Sequence, residues 1–143
     1  MKPPADLKVR DVMSTEPVTI GPEDNLMEVL QTMRRHHCRR LPVVLQGRLI
    51  GIVAEGDVKR AEPSMLQTSQ EEFEQLMELT TVSQIMIRDP ITIAEDAPLL
   101  DAVKTLHETK YGALPVVRDG QVIGIVTDHD LLRVFQEVLE QGG

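Results

Sequence analysis

Three clusters in this chain carry side chains that could do chemistry. Thr127-Asp128-His129-Asp130 sets a hydroxyl and a carboxylate three positions apart. At a helix start that spacing either presents polar groups and free N–H donors to an anionic ligand or closes on itself as a helix cap, and the two roles can coexist. Arg34-Arg35-His36-His37-Cys38-Arg39-Arg40 is a dense basic run directly ahead of Leu41-Pro42. A guanidinium keeps its charge and donates two parallel bonds, so Arg39 and Arg40 suit a phosphate, while Arg34 and Arg35 read as a solvated helix end favoured by the helix dipole. Strand alternation turns one of Arg39 and Arg40 inward and the other outward, which predicts one contact rather than two. His36, His37 and Cys38 invite a metal or redox reading. Against it, neighbours on an extended segment point apart and the flanking arginines repel a cation, so Cys38 reads as a small buried apolar residue. No nucleophile has an identifiable base and orienting acid, and no Gly-x-x-x-x-Gly-Lys-Ser/Thr loop is present, so no enzymatic activity is expected.

These clusters need a scaffold, and 143 residues allow one compact domain or two small ones. The hydrophobic content of 41% with 27% charged residues is that of a globular chain, and its core must be built from Val, Ile, Leu and Met, since there are two Phe, one Tyr and no Trp. The formal charge of −8 argues against nucleic acid and anionic membrane as partners, although residues 1–60 hold ten Lys/Arg against eight Asp/Glu. A single cysteine excludes an intrachain disulfide framework and fits a reducing compartment. With no signal-peptide-like or membrane-spanning run, the expectation is a cytoplasmic protein.

The scaffold announces itself as an internal repeat. A shift of 73 residues lays Val9 on Val82, Met13 on Met86, Pro17-Val18-Thr19-Ile20 on Pro90-Ile91-Thr92-Ile93, and Leu26 on Leu99. It also lays Leu41-Pro42-Val43-Val44 on Leu114-Pro115-Val116-Val117, Gly47 on Gly120, Ile50-Gly51-Ile52-Val53 on Ile123-Gly124-Ile125-Val126, and Asp57 on Asp130. In each copy a short β-branched strand, Val18-Thr19-Ile20 in the first, leads to a turn and then to a helix whose apolar stripe is Leu26, Val29, Leu30 and Met33. Two strands follow, Leu41–Leu45 and Leu49–Val53, joined at Gln46-Gly47; the second copy has Asp119-Gly120, a stronger hairpin signal because both residues accept positive φ. A last helix opens near Asp57 or Asp130. Between the copies, Ser69 with Glu72 resembles a capping box, and Phe73, Leu76, Met77 and Thr80 share one face of a short acidic connector helix.

Two ordered sets of Pro-Val-Thr-Ile, Leu-Pro-Val-Val, a glycine hairpin and Ile-Gly-Ile-Val-x-x-x-Asp resemble a tandem pair of CBS domains. The resemblance implies an α+β fold of two β-α-β-β-α repeats packed with pseudo-two-fold symmetry, divided as 8–60, a helical connector 61–81, and 82–139. It further implies clefts for adenine nucleotides or related adenosyl ligands, and a homodimeric disc. The family motif Gly-hydrophobic-x-Ser/Thr-x-x-Asp is complete at Gly124 to Asp130, where the carboxylate would take ribose hydroxyls and Thr127 a phosphate oxygen. The first copy has Ala54 in place of the hydroxyl and adds Glu55, leaving Asp57 alone to hold a ribose, so unequal clefts are expected. The ligand-binding residues implied are Thr92, Ile93, Tyr111, Gly112, Ala113, Pro115, Thr127 and Asp130, together with Arg39, Arg40 and Asp57 from the first copy. Gly112 and Ala113 suit the close approach of a flat base.

The resulting expectation is a regulatory module that senses AMP, ADP, ATP or a related adenosyl ligand, needs no other cofactor, and signals to an effector protein. The rival readings are a structural or dimerisation module with no small ligand, and a metal or redox sensor through His36, His37 and Cys38.

Overall fold

The computed structural model describes residues 2–64, 66–109 and 111–142. In chain order its elements are a 3₁₀ turn Pro4–Asp6, α1 Val9–Val12, β1 Ser14–Thr15, α2 Leu26–His36, β2 Arg40–Leu45, β3 Arg48–Ala54 and α3 Glu55–Ala61. There follow α4 Gln70–Leu79, α5 Val82–Ile85, β4 Ile87–Arg88, α6 Leu99–Thr109, β5 Ala113–Arg118, β6 Gln121–Thr127 and α7 Asp128–Gly142. They form two compact units, Val18–Pro90 and Ile91–Gly143 with Met1–Pro17.

In the unit Val18–Pro90, α2 starts where Asn25 Oδ1 accepts the Glu28 N–H at 2.9 Å, closing one of the free donors of the first turn. Its inward face buries Leu26, Val29 and Met33 against Leu41, Val43 and Val53 of the β2–β3 hairpin. Gln46 (φ 51°) and Gly47 (φ 82°) turn that hairpin, as Asp119 (φ 53°) and Gly120 (φ 82°) turn β5–β6 in the other unit. Both central residues are left-handed, the geometry that matches the twist of the flanking strands. The connector helix α4 is more than a link. Ser69 Oγ accepts the Glu72 N–H at 3.1 Å, Met77 is buried, and Phe73 packs on the same core.

The expected first strand of each repeat is shorter than its β-branched sequence suggests. Val18–Ile20 contributes one parallel bridge, Ile20 to Val43, with Ile20 N–H donating to Pro42 O at 3.0 Å and Val44 N–H donating to Ile20 O at 2.9 Å. Pro17 and Pro22 flank the segment and cannot donate to a ladder, and Gly21-Pro22 turns the chain away. Ile93 repeats the bridge with Val116.

The spatial units also exchange the leading segments of the two repeats. Val9 and Val12, from the expected first domain, lie in the core of the other unit with Leu99 and Leu114. Val9 N–H donates to Ala97 O at 3.0 Å and β1 pairs with β6, Thr15 opposite Gly124. Correspondingly, Val82 N–H donates to Asp24 O at 2.8 Å and β4 pairs with β3, Ile87 opposite Ile52.

Candidate functional site

The antiparallel register of β5 and β6 sets Ala113 opposite Thr127, so the start of one strand meets the end of the other. Asp128, the first residue of α7, donates its N–H to Gly112 O at 3.0 Å and closes this mouth. Ile93 lies along the other edge of β5, its N–H on Pro115 O and its carbonyl receiving Val117 N–H, each at 3.1 Å. The structure thereby gathers Ile93, Gly112, Ala113, Pro115, Thr127 and Asp130 into one unit around the strand-to-helix turn. Gly112, Ala113 and Pro115 are buried, Ile93 and Thr127 half-buried, and Thr92 and Tyr111 exposed. Gly112 is left-handed (φ 76°), a conformation that favours glycine whatever binds there.

Asp130 is 4% exposed, the buried charged residue among those described. Its Oδ2 accepts both the Thr127 N–H at 2.9 Å and the Thr127 hydroxyl at 3.0 Å, while Thr127 Oγ1 accepts the Asp130 N–H at 3.2 Å. The predicted cap is thus complete and reciprocal. Oδ1 takes no part in it and faces Arg133 Nη2 at 3.5 Å. The same guanidinium nitrogen lies 3.5 Å from Val12 O.

The Val18–Pro90 unit repeats this frame with different chemistry. Arg40 stands opposite Ala54, and Glu55 N–H donates to Arg39 O at 2.8 Å, as Asp128 does to Gly112. Asp57 Oδ2 accepts the Ala54 N–H at 2.8 Å, but Ala54 has no hydroxyl to return, and Asp57 Oδ1 is held by Arg60. The extra charge of Glu55 is answered by Lys59 at 2.8 Å and Arg39 at 3.7 Å. The Lys59 ammonium, through its hydrogen bond and charge, holds the Glu55 carboxyl below its usual range. Arg39 is exposed and Arg40 half-buried.

Arg60 and Arg133 were not among the sequence candidates. The signal was available, because the 73-residue shift superposes them, each three positions after its aspartate.

The His36-His37-Cys38 run is not extended as expected. His36 ends α2, His37 is left-handed (φ 53°), and Cys38 N–H donates to Met33 O at 3.0 Å, so the run is a helix C-cap. Burial pushes the Cys38 thiol up, away from the thiolate needed for metal binding or redox chemistry. Among the described residues, no three His, Cys, Asp or Glu side chains come together as a metal set. No helix among them is long and apolar enough to cross a membrane.

The CBS domain family model matches residues 9–64 and 82–137. A CBS domain-containing protein of Dictyostelium discoideum is 35% identical over 136 residues, covering 92% of this chain and 93% of that protein. Several other relatives are longer, and the chain spans less than half of each. Among solved structures, the CBS domain pair of protein MJ0100, in complex with 5′-methylthioadenosine and S-adenosyl-L-methionine, superposes with a TM-score of 0.76 at 29% identity, covering 92% of this chain and 97% of that one. CBSX2 of Arabidopsis thaliana in complex with AMP superposes at 0.77 with 25% identity, again over 92% and 97% of the two chains.

Proposed function

The chain belongs to the CBS domain family as a tandem pair, and from this we propose that it is a regulatory module for an adenine nucleotide or related adenosyl ligand, bound at the mouth of β5 and β6. The observation that carries the reading is the division of labour on Asp130. Oδ2 is committed to the Thr127 cap, while Oδ1 stays outside it and can accept a ribose hydroxyl. Arg133 opposite Oδ1 then either shares that oxygen or turns to the ligand's anionic group. Thr127 and the first turn of α7 stand ready for a phosphate, the hydroxyl exchanging its bond to Asp130 for one to the ligand. Backbone at Thr92-Ile93 and Gly112-Ala113, beside Tyr111 and Pro115, frames the base. The adenosine moiety shared by AMP, methylthioadenosine and S-adenosylmethionine in the two similar structures supports this ligand class.

On this reading the Asp57 site is the weaker, since Arg60 occupies the matching oxygen and Ala54 supplies no hydroxyl; Arg39 or Arg40 contributes phosphate contact from that repeat. The module performs no reaction of its own, acts in the cytoplasm as two copies, and passes ligand occupancy to an effector protein. The rival reading, a structural or dimerisation module without a ligand, is favoured by one feature, the completeness of the Thr127–Asp130 cap. A thermal-shift panel of AMP, ADP, ATP, NAD and S-adenosylmethionine separates them. A ligand at a hundred times its dissociation constant stabilises the fold by about 2.7 kcal/mol, and no shift with any of the five favours the structural module.

A further inference from the structure

Arg133 stands between two acceptors and is bonded closely to neither. One nitrogen, Nη2, lies 3.5 Å from Asp130 Oδ1 and 3.5 Å from Val12 O. A guanidinium bonded to a carboxylate normally closes to about 2.7 to 2.9 Å. The counterpart in the other unit is settled: Arg60 Nη2 closes on Asp57 Oδ1 at 2.5 Å. Among the described residues Arg60 makes no bond to Ile85, the residue that the repeat shift lays on Val12. The Arg133 side chain is 52% exposed, so its guanidinium can cross the short way between its two acceptors without repacking the core.

The second acceptor belongs to a segment that leads away from the site. Val12 is the last residue of α1, and the carbonyls that end a helix have no donor inside it. Its contact with Arg133 joins residues 121 positions apart. From Val12 the chain runs through Met13 into β1, which pairs with β6, the strand that ends on Thr127. Glu16 is then left-handed (φ 50°), a conformation uncommon outside glycine, and Val18 begins the other unit. Residues 9–15 therefore lie against the Thr127–Asp130 turn while belonging, by sequence, to the other repeat.

We propose that Arg133 is a positioning residue through which a ligand on Asp130 fastens residues 9–15. The inference rests on the reading of Asp130 as the ribose anchor and adds how occupancy leaves that site. A ribose hydroxyl donating to Oδ1 takes up acceptor capacity that now faces Arg133, and the guanidinium closes on Val12 O instead. Only hydrogen bonds are exchanged: Oδ1 passes from Arg133 to the ligand, and Nη2 from Oδ1 to the end of α1.

Hydrogen–deuterium exchange of the full chain, with and without saturating adenosine or AMP, tests it, with titration calorimetry to fix occupancy. In the wild type either ligand slows exchange of the amides of residues 9–15 roughly fivefold or more beyond any change at residues 82–88, the matching segment of the other repeat. In Arg133→Met both ligands bind within roughly threefold of wild-type affinity, since Arg133 competes for Oδ1 rather than holding the ligand, but the added protection is gone. Arg133→Ala, a change suited to an exposed helix face, decides the matter should the Met variant not fold. Ligand binding without protection of residues 9–15, equal protection of both segments, or protection that survives without Arg133 overturns the inference and leaves the anchor standing. Loss of AMP affinity with adenosine affinity kept in Arg133→Met places the guanidinium on the phosphate and overturns it as well. A wild type that binds neither ligand overturns the reading of the site and this inference with it.

Discussion

The two aspartates at the strand-to-helix turns differ by what each neighbour gives back. Asp130 and Thr127 exchange hydrogen bonds in both directions, whereas Asp57 satisfies Ala54 N–H and receives nothing in return. Ala54 already has the extended conformation of an N-cap residue (φ −109°, ψ 158°), so Ala54→Thr adds the missing acceptor without moving backbone. We expect it to stabilise the fold by about 1 kcal/mol in urea unfolding, and no gain would mean that the hydroxyl does not cap α3. Arg39 and Arg40 make a second residue-scale test. If one of them reads phosphate, its replacement by Ala weakens AMP or ATP by about 1 to 3 kcal/mol, hardly affects adenosine, and flattens the salt dependence of binding. Equal losses for adenosine and nucleotide would reduce the arginines to supports of the turn. The carboxylate and hydroxyl were legible in the sequence because the repeat aligns them, with Ala54 showing the defect. The interference of Arg60 and Arg133 is harder to see, since a partner one helical turn away is visible only when the helix face is considered together with the repeat.

At the scale of elements, the motif glycines act through close approach of another strand. A Cβ on Gly124 would lie 2.9 Å from Ser14 O and 2.7 Å from Met13 Sδ; on Gly51 it would meet Ile87 O at 2.9 Å and Met86 Sδ at 2.6 Å. The methionine sulfurs can swing aside, but the carbonyls belong to β1 and β4 and cannot. Gly124→Ala and Gly51→Ala should therefore each destabilise by about 1 to 3 kcal/mol in thermal or urea unfolding, and a neutral change would mean that these short pairings are dispensable. The hairpins, their turns and the stripe of α2 were readable from period and turn chemistry. The leading strands are shorter than their sequence suggests because β-branched residues signal extended backbone without telling how many ladder bonds the flanking prolines leave. The exchange of leading segments had no local signal. Val9 and Val82 look alike, and which core each enters is decided by long-range packing.

Across the whole molecule, two copies of one unit have diverged into different surfaces. Residues Val18–Pro90 carry the basic run and the covering helix α4; Ile91–Gly143 carries the intact motif and the uncovered apolar face of α7. The formal charge of −8 repels anions over most of the surface except where arginines gather, as in the run ahead of Leu41. On the proposed function, Asp130 is the ligand's anchor as well as a cap. Titration calorimetry of AMP into the wild type, Asp130→Ala and Asp57→Ala, with unfolding curves on all three, tests it most directly. Asp130→Ala is expected to lose affinity roughly ten- to hundred-fold, beyond a capping loss of about 1 kcal/mol in stability, and Asp57→Ala to lose much less. Full AMP affinity in Asp130→Ala, or a larger loss in Asp57→Ala, would contradict it.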